Sequence, residues 1–114
     1  MTSPVTTHVL DTARGAPAAG VRVTLDQERA PGTWARAGEG TTDGDGRAQE
    51  LLSEESLTEG AYRLVFDAGA YFEGRGVHAF WRQVTIEFVV RDVNAHYHVP
   101  LLVSPFGYST YRGT

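Results

Sequence analysis

Residues 81–91, WRQVTIEFVVR, decide the fold. Val84, Ile86, Phe88 and Val90 fall on one side of a period of two, and Gln83, Thr85, Glu87 and Arg91 on the other. That alternation belongs to a β-strand with one buried face. A strand this long is expected at or near the centre of its sheet. The same pattern recurs in GVRVTLD (20–26), where Val21, Val23 and Leu25 alternate with Arg22, Thr24 and Asp26. It recurs again in AYRLVFD (61–67), through Tyr62, Leu64 and Phe66.

Turn signals separate these runs: RGAPAAG (14–20), Pro31-Gly32, DGDG (43–46), and Gly74 with Gly76. Only SEESLTEG (53–60) and DAGAYFEG (67–74) have helical character, and both are too short to cover a sheet. The expected fold is therefore all-β: an antiparallel sandwich of about eight strands with one short helix near Ala68 to Glu73. No internal repeat, linker or low-complexity tract divides the chain, so residues 1–114 are expected to form a single domain.

Composition narrows the chemistry. The 114 residues are 41% hydrophobic and carry a formal net charge of -4, with no basic excess to attract nucleic acid or an anionic membrane surface. Cysteine is absent, which removes disulfides, thiolate metal sites and cysteine nucleophiles. Lysine is absent too, so all ten basic residues are arginines and Schiff-base chemistry is closed. The first residues, MTSPVTTHVL, have neither a basic region nor an apolar run of signal-peptide length, and no segment approaches the ~20 apolar residues of a membrane span. The expected compartment is the cytoplasm.

Four histidines are candidates for chemistry: His8, His78, His96 and His98. His96 and His98 share one face of any strand they occupy, and Pro100 marks that strand as an edge or as ending there. With His8 they make a three-histidine zinc set conceivable, a pattern of low specificity. The segment TTDGDGRAQEL (41–51) raises calcium, but placing Gly46 sixth in an EF-hand loop puts Thr41 first and Leu52 twelfth, so the leading ligand and the bidentate carboxylate are both missing. A hairpin turn explains the Asp-Gly pairs better and sets Arg47 at the start of the returning strand. A guanidinium near histidines repels a metal cation but polarises a carbonyl or holds an anionic oxygen, which favours an organic substrate over a metal. Ser104 and Ser109 lack a Gly-x-Ser-x-Gly elbow.

Three segments, TTHVLDTARGAPAAGVRVTL (6–25), TTDGDGR (41–47) and HYHVPLLVSPFGYSTYRGT (96–114), together resemble the 5-hydroxyisourate hydrolases, also called transthyretin-like proteins. The resemblance spans essentially the full chain, and the closing tetrapeptide is the feature that separates these hydrolases from transthyretin, the hormone carrier of the same fold. It implies a prealbumin-like sandwich, a homotetramer with active sites where two dimers meet, and a C-terminus folded into that interface. It further implies hydrolysis of 5-hydroxyisourate, a purine-derived small molecule, to 2-oxo-4-hydroxy-4-carboxy-5-ureidoimidazoline without a cofactor or metal. On this resemblance His8, Arg47 and His98 are the catalytic residues, and either histidine activates water. Tyr111, Arg112, Gly113 and Thr114 bind substrate, with Thr114 standing where serine is usual. His78 and His96 receive no role. The rival is a carrier of aromatic ligands, which needs an apolar channel rather than one lined by two histidines and an arginine.

Overall fold

The computed structural model describes residues 3–52 and 57–114. Two sheets pack face to face. One is a four-stranded antiparallel sheet in the order β4-β3-β6-β7, built from β3 (Arg22–Ala30), β4 (Thr33–Thr41), β6 (Gly60–Phe66) and β7 (Val84–Val90). The other is six-stranded and is organised around β1 (Val5–Asp11). Its path runs β10-β9-β1-β2, with β2 (Ala16–Pro17), β9 (Leu101–Ser104) and β10 (Gly107–Thr110), while β5 (Arg47–Ala48) and β8 (Tyr97–His98) also pair with β1.

The inward residues of the alternating runs form the core. Val23 and Leu25 of β3 and Tyr62, Leu64 and Phe66 of β6 are wholly buried against Val5 and Val9 of β1. Each such side chain contributes about 1.5–3 kcal/mol through removal from water. Helix α1 (Ala68–Gly74) follows β6 where the sequence places it. The Asp67 carboxylate accepts the Ala70 N–H at its start, and Tyr71 and Phe72 are buried beneath it. Among the described residues no helix is long and apolar enough to cross a membrane. Part of SEESLTEG, residues 53–56, lies outside the described residues.

Three details depart from the sequence reading. Strand β7 is an edge strand, and Ile86 and Phe88 are only half-buried. Alternation reports which face of a strand meets the core, not how many strands flank its backbone. Secondly, the pairing is antiparallel throughout except along β1, which runs parallel to both β8 and β9. Thirdly, the 43–46 turn does not close a hairpin between ladder partners: it carries the chain out of the four-stranded sheet, and β5 pairs with β1 instead. Gly46 adopts φ 78°, and a Cβ there would lie 2.4 Å from the Val9 carbonyl oxygen, so the turn seats itself against β1 only with glycine at this position.

Candidate active site

Strand β1 divides its side chains between two tasks. Val5, Thr7, Val9 and Asp11 turn inward and are buried, so the pleat turns Thr6 and His8 to the outer face. Register then brings two short strands to that face. Arg47 of β5 lies opposite His8, and His98 of β8 lies opposite Thr6. Directly opposed residues in a ladder project to the same side. Residues distant in sequence thus meet on one small surface, with Gly113 bridged to His98 at its rim.

Each side chain is held by a specific contact. The Asp43 carboxylate accepts the backbone N–H groups of Asp45 (2.9 Å) and Arg47 (3.0 Å), which fixes the turn preceding Arg47. These bonds, the one from Arg47 foremost, hold the Asp43 carboxyl below its ordinary value. The Asp45 carbonyl oxygen lies 2.8 Å from Nε2 of His8. A carbonyl can only accept, so His8 carries a proton on Nε2 and presents Nδ1 as its open nitrogen.

His98 is held on its other nitrogen. Nδ1 lies 2.8 Å from the Thr6 hydroxyl, and Nε2 makes no hydrogen bond among the described residues. The Thr7 hydroxyl donates to the Val99 carbonyl at 2.6 Å and pins the segment after β8 to β1. Burial pushes the His98 imidazole below its ordinary value, and the charge of Arg47, with that of His96 and His8 when they are protonated, pushes the same way. The neutral ring is therefore favoured. Arg47, in contrast, makes no ion pair among the described residues. A neutral imidazole with an open nitrogen beside an unpaired guanidinium can take a proton from water and stabilise an oxyanion at one place.

The C-terminal tetrapeptide is split between two places. The Gly113 N–H donates to the His98 carbonyl at 2.8 Å, and a Cβ on Gly113 would come within 2.6 Å of the His98 ring, so any side chain there would displace that ring. Arg112 instead stacks its guanidinium on Tyr97, 4.7 Å from the ring centroid. With the exposed Tyr111 it borders a cavity of about 260 Å³ that also meets Phe88 and Val89 of the β7 edge. Thr114 is exposed at the chain end. Within the chain, then, His8, Arg47, His98 and Gly113 come together, and the side chains of Tyr111 and Arg112 point elsewhere.

His96 and His98 stand nearly parallel, with ring centroids 6.5 Å apart. Both direct a ring nitrogen at Thr6, and among the described residues no group of three or more metal-ligating side chains is placed to hold an ion. His78 is exposed next to the helix, away from this face. Sequence reasoning missed Thr6, although its same-face spacing from His8 was there to be read. It also missed the Asp45 carbonyl, which no sequence pattern could have announced.

Comparison with known proteins agrees with this architecture. The family model described as transthyretin, the HIUase/transthyretin family, matches residues 5–113. The chain is 48% identical over 118 residues to a 5-hydroxyisourate hydrolase of Deinococcus radiodurans, covering 96% of this chain and 95% of that protein. Among solved structures it is similar to the Klebsiella pneumoniae 5-hydroxyisourate hydrolase, with TM-score 0.84 and 35% identity, covering 96% of this chain and 98% of that one. It is also similar to sea bream transthyretin in complex with thyroxine, with TM-score 0.91 and 32% identity, covering 97% and 95%.

Proposed function

The chain belongs to the HIUase/transthyretin family, and on that premise we propose that it hydrolyses 5-hydroxyisourate to 2-oxo-4-hydroxy-4-carboxy-5-ureidoimidazoline in urate degradation. In this reading residues 1–114 act as one domain, in the cytoplasm and without a cofactor. The observation that carries it is the unpaired Arg47 set opposite His8 and beside a His98 whose Nε2 is open.

In this reading His98 is the base, supported by its open Nε2 and by the surroundings that favour its neutral ring. Nε2 of His98 accepts a proton from water, and the water oxygen attacks the carbonyl of the cyclic amide. The ring C–N bond then breaks, the same Nε2 returns its proton to the leaving nitrogen, and the carbonyl carbon ends as a carboxylic acid that gives the water's second proton to solvent and becomes the carboxylate. Such proton transfer contributes about 10²- to 10⁴-fold. Arg47 holds the ring oxygens and the developing negative charge, a role worth about 3 kcal/mol in other hydrolases. His8, tied through Nε2–H to Asp45, orients the water with its remaining nitrogen.

The reactive face of β1 is open on its outer side in a single protomer, and a second copy is its natural cover. Phe80 and Phe106, 72% and 75% exposed, stand together where the Phe80 N–H donates to the Pro105 carbonyl, an exposed apolar surface of the kind that a protein interface covers. We therefore place the sites at the dimer-dimer interface of a homotetramer, where Tyr111, Arg112 and Thr114 complete the substrate pocket with Gly113 and the Thr114 hydroxyl serves in place of serine. The carrier reading is weaker, because the face shown by Thr6, His8, Arg47 and His98 is polar and cationic. Freshly generated 5-hydroxyisourate followed by absorbance is the direct test. Wild type should speed its decay, with His98→Asn at least a hundredfold slower. Wild type matching the uncatalysed rate would end the hydrolase reading and bring the carrier forward.

A further inference from the structure

Beneath the reactive face, the Thr6 hydroxyl lies between two imidazoles, 2.8 Å from Nδ1 of His98 and 3.0 Å from Nε2 of His96. Thr6 itself is buried, whereas His96 is exposed. A hydroxyl has one proton to give, so it donates to one ring and accepts from the other. If it donated to His98, that ring would carry its proton on Nε2 and could not act as a base. In the opposite polarity His98 Nδ1–H donates to Thr6, Thr6 donates to Nε2 of His96, and His98 keeps its Nε2 lone pair for water. We infer that Thr6 is a positioning residue that fixes His98 in this tautomer, and that Thr6 and His96 together form a relay carrying proton charge away from the reaction. This inference rests on the hydrolase reading above.

Electrostatics gives the relay a purpose. The groups facing His98 are His8 and Thr6 from β1, Arg47 from β5, His96 from beside β8 and the Gly113 backbone. Three of these bear or can bear positive charge, and none is a carboxylate. An imidazolium at His98 is therefore disfavoured just when the reaction requires one. The relay avoids it. As Nε2 accepts the proton of water, Nδ1 releases its proton to Thr6 Oγ1, and the Thr6 proton moves to Nε2 of His96. His98 stays neutral and the positive charge stands on His96, where water screens it. When Nε2 of His98 gives its proton to the leaving nitrogen, both transfers run back. Only N–H and O–H bonds change, and total charge is conserved at each stage.

The test compares full-length wild type with Thr6→Val, Thr6→Ser and His96→Phe in the 5-hydroxyisourate assay across pH 5.5–8.5. Thr6→Val should lower kcat about a hundredfold with KM within about twofold. Thr6→Ser, which keeps the hydroxyl, should stay within about threefold of wild type. His96→Phe should lower kcat about tenfold and move the acid limb to higher pH, since it removes a group whose protonation at low pH opposes charge on His98. Full activity in Thr6→Val overturns the inference. So does a Thr6→Ser enzyme as slow as Thr6→Val, which would make the methyl group the feature that matters, and so does His96→Phe with a wild-type profile. Nitrogen-15 spectra of the resting wild type decide the tautomer independently of any variant's folding: a proton on Nδ1 of His98 sustains the inference, and a proton on Nε2 overturns it. If wild type gives no acceleration at all, the hydrolase reading fails instead, and these spectra alone judge the Thr6 contact.

Discussion

The two sheets treat their outward arginines in opposite ways. On the four-stranded sheet the Asp26 carboxylate accepts Arg36 Nε at 3.1 Å and Arg63 Nε at 2.9 Å, and Glu39 takes Arg22 at 2.8 Å. Arg63 also covers the Trp34 ring. Each of those cations has its counter-charge within the fold. On the six-stranded sheet Arg47 makes no direct ion pair among the described residues: the Asp43 carboxylate feels its charge from beyond contact distance, and His8 and His98 stand beside it. The first arrangement is electrostatically complete and asks for no ligand; the second leaves a fixed cation without a contacting partner, the condition for receiving developing negative charge. Long strands support the first, and two-residue strands gathered on β1 support the second.

Breaking each arrangement should therefore give opposite signatures. The largest effect expected is for Arg47→Met, which should lower kcat/KM by about 10²- to 10³-fold while thermal unfolding moves little; a mild kinetic effect would place the oxyanion elsewhere. Gly46→Ala should come next and should damage both properties. Its Cβ would press on the Val9 carbonyl in a left-handed backbone conformation, costing more than about 1 kcal/mol and displacing the neighbouring Arg47. Denaturant unfolding and the decay assay on one preparation check it, and Gly44→Ala, with open space around its Cβ, is the control.

Asp26→Ala should invert the Arg47 result. Loss of about 1–2 kcal/mol is expected, discounted for arginines that are 50% and 33% exposed, with activity unchanged within about twofold. A large kinetic effect there would mean that the two faces are coupled. The smallest effect is a pH shift. With His98 as the proposed base, activity should fall as pH drops through a pKa that lies below the ordinary histidine value. Removing Arg47 takes away a positive neighbour, lets His98 hold its proton more easily, and should move the acid limb of the residual kcat/KM to higher pH.

The legibility of the two sheets differs for the same reason. Residues 20–26, 61–67 and 84–90 announce themselves because their alternation is long enough to count, and the structure buries the face that alternation picks out. Strands β5 and β8 are two residues each, below the length at which a period can be seen. Their importance was read from motif resemblance, which named His8, Arg47 and His98. Resemblance did not say that Asp45 would fix the His8 tautomer, or that Thr6 would stand between His98 and His96. Nor did Tyr111 and Arg112 meet the histidines within the chain as their closeness to Gly113 in sequence would suggest. Past the end of β10 the chain is irregular, and Arg112 is held by stacking on Tyr97 rather than by a strand register.

By itself the sequence determined the two-layer β architecture, the short helix after residue 67, the absence of thiol and amine chemistry, and the residue types available for catalysis. These follow from local rules: side-chain period, turn chemistry and composition. Only the tertiary structure decided that β1 would run parallel to β8 and β9, that β7 would be an edge, and that an arginine and two histidines scattered across ninety residues would share one face. Those outcomes depend on register between segments far apart in the chain, and register is set by how two complete faces pack rather than by any stretch read alone.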